Sequence, residues 1–287
     1  MSNADLYVDL SSNNGAPNLK DYKAAGHQHV DLKVSEGTGY YWAQGRILAD
    51  QAHALGLTVG HYHWLRPDSD PIAQADFFLT HLIGHTHLGD RVMVDFEVSY
   101  DYSTGKPVSD GPDGIRAAQL RKFAEHVRAK RPDLPLVVYT GNWYLAGKAA
   151  MQAECRRWDV VISFYDKTTN PPNPYGLNFV GWQFTDKATV AGVPGQVDYN
   201  RWLGQPSTPT TDTSNAHQLE EFLMGLSDQQ QEEVYGWLRD LHVNGVGNGQ
   251  QTTGGTIKAM LAVQQALVNI LKGIAGDVAA IRRKVGA

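Results

Sequence analysis

The sequence predicts an α/β fold: an irregular, shortened (β/α)8-like TIM barrel, followed by a linker and an α-helical C-terminal region. Three observations predict it. Short β segments alternate with helical stretches through the first two hundred or so residues, which argues for a parallel sheet with helices outside. There are eight such β segments, which suggests a closed barrel over an open sheet. Their span falls short of the ~250 residues of an ordinary barrel, so some crossover helices are expected to be truncated or missing.

In chain order the strands are predicted at residues 6–10, 30–34, 58–64, 91–97, 136–140, 158–164, 178–184 and 196–200. Each is a short run of β-branched, aromatic and alternating residues. Helical spacing of apolar residues fills gaps at 44–55, 71–82, 115–130 and 144–156. The composition then shifts, because residues 204–215 hold almost no apolar side chains. This divides the chain into a barrel at 1–205, a Pro/Thr/Ser-rich linker at 206–216 and a helical region at 217–287. Helices are predicted there at about 217–242 and 256–285, separated by a stretch rich in Gly, Gln and Thr. Ser227, three residues before Gln230, fits a capping box. In the last segment Ile257, Met260, Gln264, Leu267, Leu271, Ile274, Val278, Ile281 and Val285 alternate spacings of three and four. That is an a/d heptad with one polar position, and it raises a homo-oligomer through this helix as an expectation. An amphipathic helix packed within its own chain satisfies the same pattern, and Gly273 and Gly276 weaken an isolated coil by ~1 kcal/mol each.

Composition narrows the function. With 287 residues, 42% apolar and 19% charged, the chain can bury a sizeable core and is not disordered throughout. A net charge of −5 speaks against a nucleic-acid partner, whose phosphates demand a basic face. The single cysteine, Cys155, excludes an internal disulfide framework and a Cys-rich zinc module. The start, Met1-Ser-Asn-Ala-Asp5, has neither the basic residues nor the apolar stretch of a signal peptide, and no run approaches the ~18 apolar residues of a membrane span. The expectation is a product made in the cytoplasm with no membrane partner, which acts on an outside target only after release. Seven Trp and 13 Tyr supply either core or the walls of a groove for flat, weakly polar rings such as sugars.

The chemistry gathers at predicted strand ends. Asp95 and Glu97 lie two apart in Val92-Met-Val-Asp-Phe-Glu, so both project to one side with attachment points ~6.6 Å apart. The C-terminal strand ends form the active-site face of a parallel barrel. Two carboxyls there repel, and one pKa rises. A protonated carboxyl beside an ionised one is what protonating a glycosidic oxygen requires. A solvated strand end is the plain alternative for such a pair. Asp9 closes the first strand before the turn-rich Ser11-Ser-Asn-Asn-Gly15, and Asp198 lies in the last strand, its neighbour in a closed barrel. Tyr62, Trp64, Tyr139, Trp182 and Gln183 occupy equivalent ends, where aromatic faces stack on sugars and polar tips orient them. Core packing is the alternative for each ring taken singly.

These residues also carry a resemblance. Tyr7-Val-Asp-Leu-Ser-Ser-Asn-Asn-Gly15, Lys33-Val-Ser-Glu-Gly-Thr-Gly39, Gly60-His-Tyr-His-Trp64, Asp95-Phe-Glu97, Tyr139, Trp182-Gln-Phe184 and Val197-Asp-Tyr-Asn200 occur in an order that resembles glycoside hydrolase family 25, muramidases of the bacteriophage-endolysin and bacterial lysozyme type. The likeness runs over about residues 5–203. It implies an irregular barrel and hydrolysis of the β-1,4 bond between N-acetylmuramic acid and N-acetylglucosamine, with bacterial peptidoglycan as partner. It implies Glu97 as general acid, Asp95 as its neighbouring carboxylate, and Asp9 and Asp198 as further acids of the groove. Lys33, Glu36, Tyr62, Trp64, Tyr139, Trp182 and Gln183 become substrate-binding residues. It also implies retention of configuration, with the substrate's 2-acetamido group as nucleophile oriented by Asp95, and no cofactor or metal.

Two other readings remain at this stage. His61 and His63, with Asp9 or Asp198, could form a metal-dependent hydrolase on the same barrel. Alternatively, the chain is a wall-binding module without chemistry, which the intact Asp95 and Glu97 pair argues against.

Overall fold

The computed structural model describes residues 3–165 and 170–204; the predicted linker, the C-terminal helices and the heptad lie outside them. Eight strands close into a barrel: β1 (Leu6–Leu10), β2 (His29–Glu36), β3 (Thr58–Trp64), β4 (Arg91–Asp95), β5 (Leu136–Gly141), β6 (Asp159–Ser163), β7 (Asn178–Ala188) and β8 (Val197–Trp202). Each pairs with its neighbours in chain order, and β1 joins both β2 and β8 to complete the ring. Strands β2, β4 and β6 are buried at every residue, because one face meets the helices and the other the barrel interior, where β2 and β4 carry polar side chains such as Asp31, Lys33 and Arg91.

The last strand departs from the parallel sheet that the sequence predicts. β8 runs antiparallel to both β7 and β1. Only residues 189–196 separate it from β7. A parallel return needs a crossover of about a dozen residues or more, so this short connection forces a hairpin.

The crossovers are α1 (Leu19–Ala24), α2 (Ala43–Ala54), α3 (Pro71–Thr80), α4 (Asp113–Lys130), and the short pair α5 (Asn142–Leu145) and α6 (Ala149–Cys155). Among the described residues no helix follows β6 or β7, which is how the barrel stays short. Asp70 starts α3 by accepting from the N–H groups of Ile72 and Ala73, with Pro71 at the first helical turn. In α4, Ala117, Leu120, Ala124 and Val127 form the buried stripe at three- and four-residue spacing. This stripe joins Phe78 and Phe123 in the layer between helices and strands. Truncating a fully buried Phe such as Phe123 to Ala removes about 3–5 kcal/mol. No helix among the described residues is long and apolar enough to cross a membrane.

Inside the barrel, Tyr62, Met93, Val137, Val161 and Val180 form an apolar waist. Below it lies a polar plug. Arg91 grips both oxygens of Asp31 at 2.8 and 2.6 Å, and its guanidinium lies 3.8 Å from the Trp202 ring centroid. His29 Nε2 meets Asp31 at 2.7 Å. Gly60 is required beside this plug, because a Cβ there would lie 1.8 Å from Asp31 Oδ1. Above the waist the barrel opens.

Candidate active site

The opening is a cavity of about 470 Å³, within the range of small-molecule sites. Asp9 reaches it from β1, Lys33 from β2, Tyr62 and Trp64 from β3, Asp95 from β4, Tyr139 from β5, Gln183 from β7 and Asp198 from β8. Alternation along each strand sends these side chains inward and their neighbours into the helix layer. Asp198 arrives by an unexpected route. It lies near the start of β8, and the antiparallel direction brings that start to the rim, where Asp198 stands directly opposite Asp9. Glu97 lies two residues past the end of β4, in a bend, and also lines the cavity.

Hydrogen bonds fix one wall. Tyr139 and Tyr165 hydroxyls both donate to Gln183 Oε1, the first at 2.8 Å. Gln183 Nε2 and Asn200 Nδ2 donate to Asp9 Oδ2 at 3.0 and 2.8 Å. On the other wall Lys33 donates to Glu36 at 2.7 Å and its ammonium stands 4.5 Å from the Trp64 ring centroid. In contrast, Asp95 Oδ1 and Trp64 Nε1 are buried without a hydrogen-bond partner, an acceptor and a donor left for whatever fills the cavity.

The rim acids are all shifted upward. Burial raises Glu97 to about 7, helped by the nearby charge of Asp9 and opposed by Lys33. Burial and then the charge of Glu97 push Asp95 well above the ordinary carboxylate range, again against Lys33. Asp198 is pushed up to about 9 by burial, the charge of Asp9 and a hydrogen bond with it. Asp9 is raised by burial, tempered by donation from Asn200 and Gln183. Such neighbours titrate as coupled sites. Around neutral pH the cavity therefore offers a carboxylic acid, an unpartnered acceptor oxygen and a cation.

Two expected binding residues lie elsewhere. Trp182 is buried in the helix-facing core, where its Nε1 donates to Phe164 O at 2.8 Å. Consecutive strand residues face opposite ways, so with Gln183 inward Trp182 must point out. Glu36 does not line the cavity; it is buried and accepts from Lys33, from Arg66 at 3.0 Å and from the Tyr102 hydroxyl at 2.7 Å, so it anchors Lys33. Sequence reasoning missed Tyr40, Tyr100 and Tyr102, which complete the lip together with residues 11–14. Tyr100 and Tyr102 belong to a small hairpin pairing Tyr100–Asp101 with Lys106–Pro107, too short to show strand periodicity.

The metal reading fails on geometry. His61 and His63 face the helix layer, away from Asp9 and Asp198. His63 meets Ser35 Oγ at 2.8 Å and stacks on Phe123, and burial lowers it to about 3. His61 and His53 instead converge on Asp90 Oδ2 at 3.0 and 2.9 Å, at the opposite end of the barrel. That carboxylate also accepts from the backbone N–H groups of Val59 and His87, so four N–H groups fill its acceptor sites.

A closed barrel whose strand ends bear clustered carboxyls with raised pKa values beneath aromatic rings defines a hydrolase of the glycosidase type in architecture. The sequence pattern of Glycosyl hydrolases family 25 matches residues 8–193, and the chain belongs to that family. It is 27% identical over 195 residues to the autolytic lysozyme of Clostridium acetobutylicum, covering 68% of this chain and 55% of that one. It is 25% identical over 203 residues to lysozyme M1 of Streptomyces globisporus, covering 69% of this chain and 67% of that one. The chain thus spans little more than half of the first of these relatives. The fold is also that of the bacterial lysozyme from Streptomyces coelicolor, with a TM-score of 0.58 at 23% identity over 70% of this chain and 92% of that one.

Proposed function

We propose that the barrel is a muramidase that hydrolyses the β-1,4 bond between N-acetylmuramic acid and N-acetylglucosamine in bacterial peptidoglycan. The observation that carries this reading is the Asp95 and Glu97 pair, one member poised near neutral pH and the other with a bare acceptor oxygen. Glu97 donates its proton to the leaving glycosidic oxygen, and afterwards takes one from the attacking water. Asp95 Oδ1 accepts from the N–H of the 2-acetamido group. It thereby turns the acetamido oxygen toward the anomeric carbon, and configuration is retained. Lys33 keeps the surrounding carboxyls from all becoming neutral, and Trp64 stacks on a sugar face while its Nε1 donates to a ring substituent. The lysozyme names of the two relatives support this substrate. An endolysin role and an autolysin role share the chemistry, and the autolytic relative supports the second.

Mass spectrometry of purified peptidoglycan digested by wild type and by Glu97→Gln tests the reading. New reducing-end muramic acid is expected, with lysis by Glu97→Gln reduced about 10²–10⁴-fold. Reducing glucosamine or released stem peptides would contradict it.

A further inference from the structure

Glu97 stands outside the sheet. The β4 ladder ends at Asp95, and the bend that follows has no strand pairing to fix the direction of the next side chains. Only part of this segment is held by backbone: Phe96 N–H donates to Tyr139 O at 2.8 Å, and Leu65 N–H donates to Asp95 O at 3.0 Å. The Glu97 carbonyl accepts instead from a side chain, Arg116 Nη2, at 3.3 Å.

Arg116 is fully buried on α4, a placement arginine rarely takes without partners. The same Nη2 donates to Leu65 O at 2.6 Å, immediately after Trp64 at the end of β3. One guanidinium thus ties together the segments that leave two adjacent strands, β3 just after Trp64 and β4 at Glu97. Its plane is fixed from the other sides as well: Nε donates to the Tyr144 hydroxyl at 3.2 Å, Nη1 to Gln119 Oε1 at 3.2 Å, and the Asp110 carboxylate stands 3.5 Å from Nε. The guanidinium also lies 4.6 Å from the ring centroid of Phe96, the residue between the two acids. A planar group with several N–H donors can make these contacts together; an ammonium cannot.

We propose that Arg116 is a positioning residue for Glu97: it aims the general acid by holding its carbonyl and the Phe96 ring from behind. This rests on the reading of Glu97 as the acid. The role is geometric, since the charges that move the acidity of Glu97 are those of Asp9 and Lys33. Misplacing a reacting group by about 1 Å costs ~10²-fold in rate.

The test is the pH–rate profile of peptidoglycan lysis by Arg116→Lys, Tyr144→Phe and Glu97→Gln beside wild type, with Tm measured for each. Arg116→Lys keeps the charge and loses the fork. It is expected to lower kcat about 10–10²-fold with KM within about 2-fold, and to move the alkaline limb to lower pH as Glu97 swings toward water. Tyr144→Phe leaves both carbonyl contacts but removes one of the contacts that fix the guanidinium plane, so it is expected to shift kcat and the limb in the same direction as Arg116→Lys and by less. If Arg116→Lys merely loses Tm and keeps the wild-type kcat and limb, Arg116 is structural and the proposal is overturned. Should Arg116→Lys not accumulate folded, Phe96→Leu carries the same test by removing the ring under the guanidinium, and an unchanged kcat and limb there also overturns it. Lysis surviving in Glu97→Gln would instead sink the reading of the acid, and this proposal with it.

Discussion

The two ends of this barrel treat the same side chain in opposite ways. At the foot, burial alone would raise Asp31, yet Arg91 and His29 outweigh it and hold the carboxyl below its ordinary value. Burial likewise works against Asp90, which the hydrogen bonds of His53 and His61 hold well below. At the rim burial wins: Asp9, Asp95, Glu97 and Asp198 are all raised, and among the described residues Lys33 is the cation that opposes it for Asp95 and Glu97. Carboxylates that stabilise the fold are supplied with partners. Those able to do chemistry are left short of them, and perturbed groups mark the site for that reason.

The sharpest way to break this contrast is to remove a foot acid. Asp31→Ala leaves the Arg91 charge buried without its carboxylate and is expected to destabilise the barrel by about 3–5 kcal/mol in denaturant unfolding. A loss below 1 kcal/mol would mean the plug is not an obligatory ion pair.

The ends should also differ in pH dependence. Rim acids keep protons in the fold that the unfolded chain releases at ordinary carboxylate values. Their stabilisation is complete below those values and is lost as pH rises through about 7 for Glu97 and about 9 for Asp198. The foot acids work in the other direction, with stability present above the ordinary carboxylate value and lost as pH falls through their lowered folded values. Lysis is expected to fall as pH rises through about 7, since Glu97 loses the proton it must donate. Lys33→Met removes the cation that opposes burial at Glu97, so the alkaline limb of the lysis profile should move to higher pH. A limb that stays in place would remove Lys33 from the tuning of the acid.

The smallest effect is at Asp198, opposite Asp9. Asp198→Asn removes a carboxyl whose ionisation burial opposes first and the charge of Asp9 second. It is expected to raise Tm at pH 9 by ~2–4 °C, about 1 kcal/mol for a barrel of this size, and to leave Tm at pH 5 nearly unchanged. Equal shifts at both values would point to packing as the cause.

Much of the fold was legible because its strands are short and bounded by turns, and all eight predicted segments overlap observed strands. What the pattern did not carry was direction. The hairpin return of β8 depends on the length of the 189–196 connection, and only that length reveals how Asp198 reaches the rim. The site was legible at the strand ends, where Asp9, Tyr62 and Gln183 stand on the cavity; Lys33, which only the family resemblance brought in, lines it too. The site was misread where two adjacent residues, Trp182 and Gln183, were both sent into the groove. Arg116 was invisible for a different reason: an arginine on an amphipathic helix reads as part of the solvated face. Its role depends on Leu65 and Glu97 carbonyls that lie 51 and 19 positions away in sequence.

The contrast between rim and foot is tested most directly by carboxyl-carbon NMR titration of the protein with labelled Asp and Glu. The expected result is a Glu97 carboxyl titrating near pH 7 while Asp31 and Asp90 stay ionised well below the ordinary ~3.9 of an aspartate. A Glu97 carboxyl titrating at the ordinary ~4.3 would contradict it.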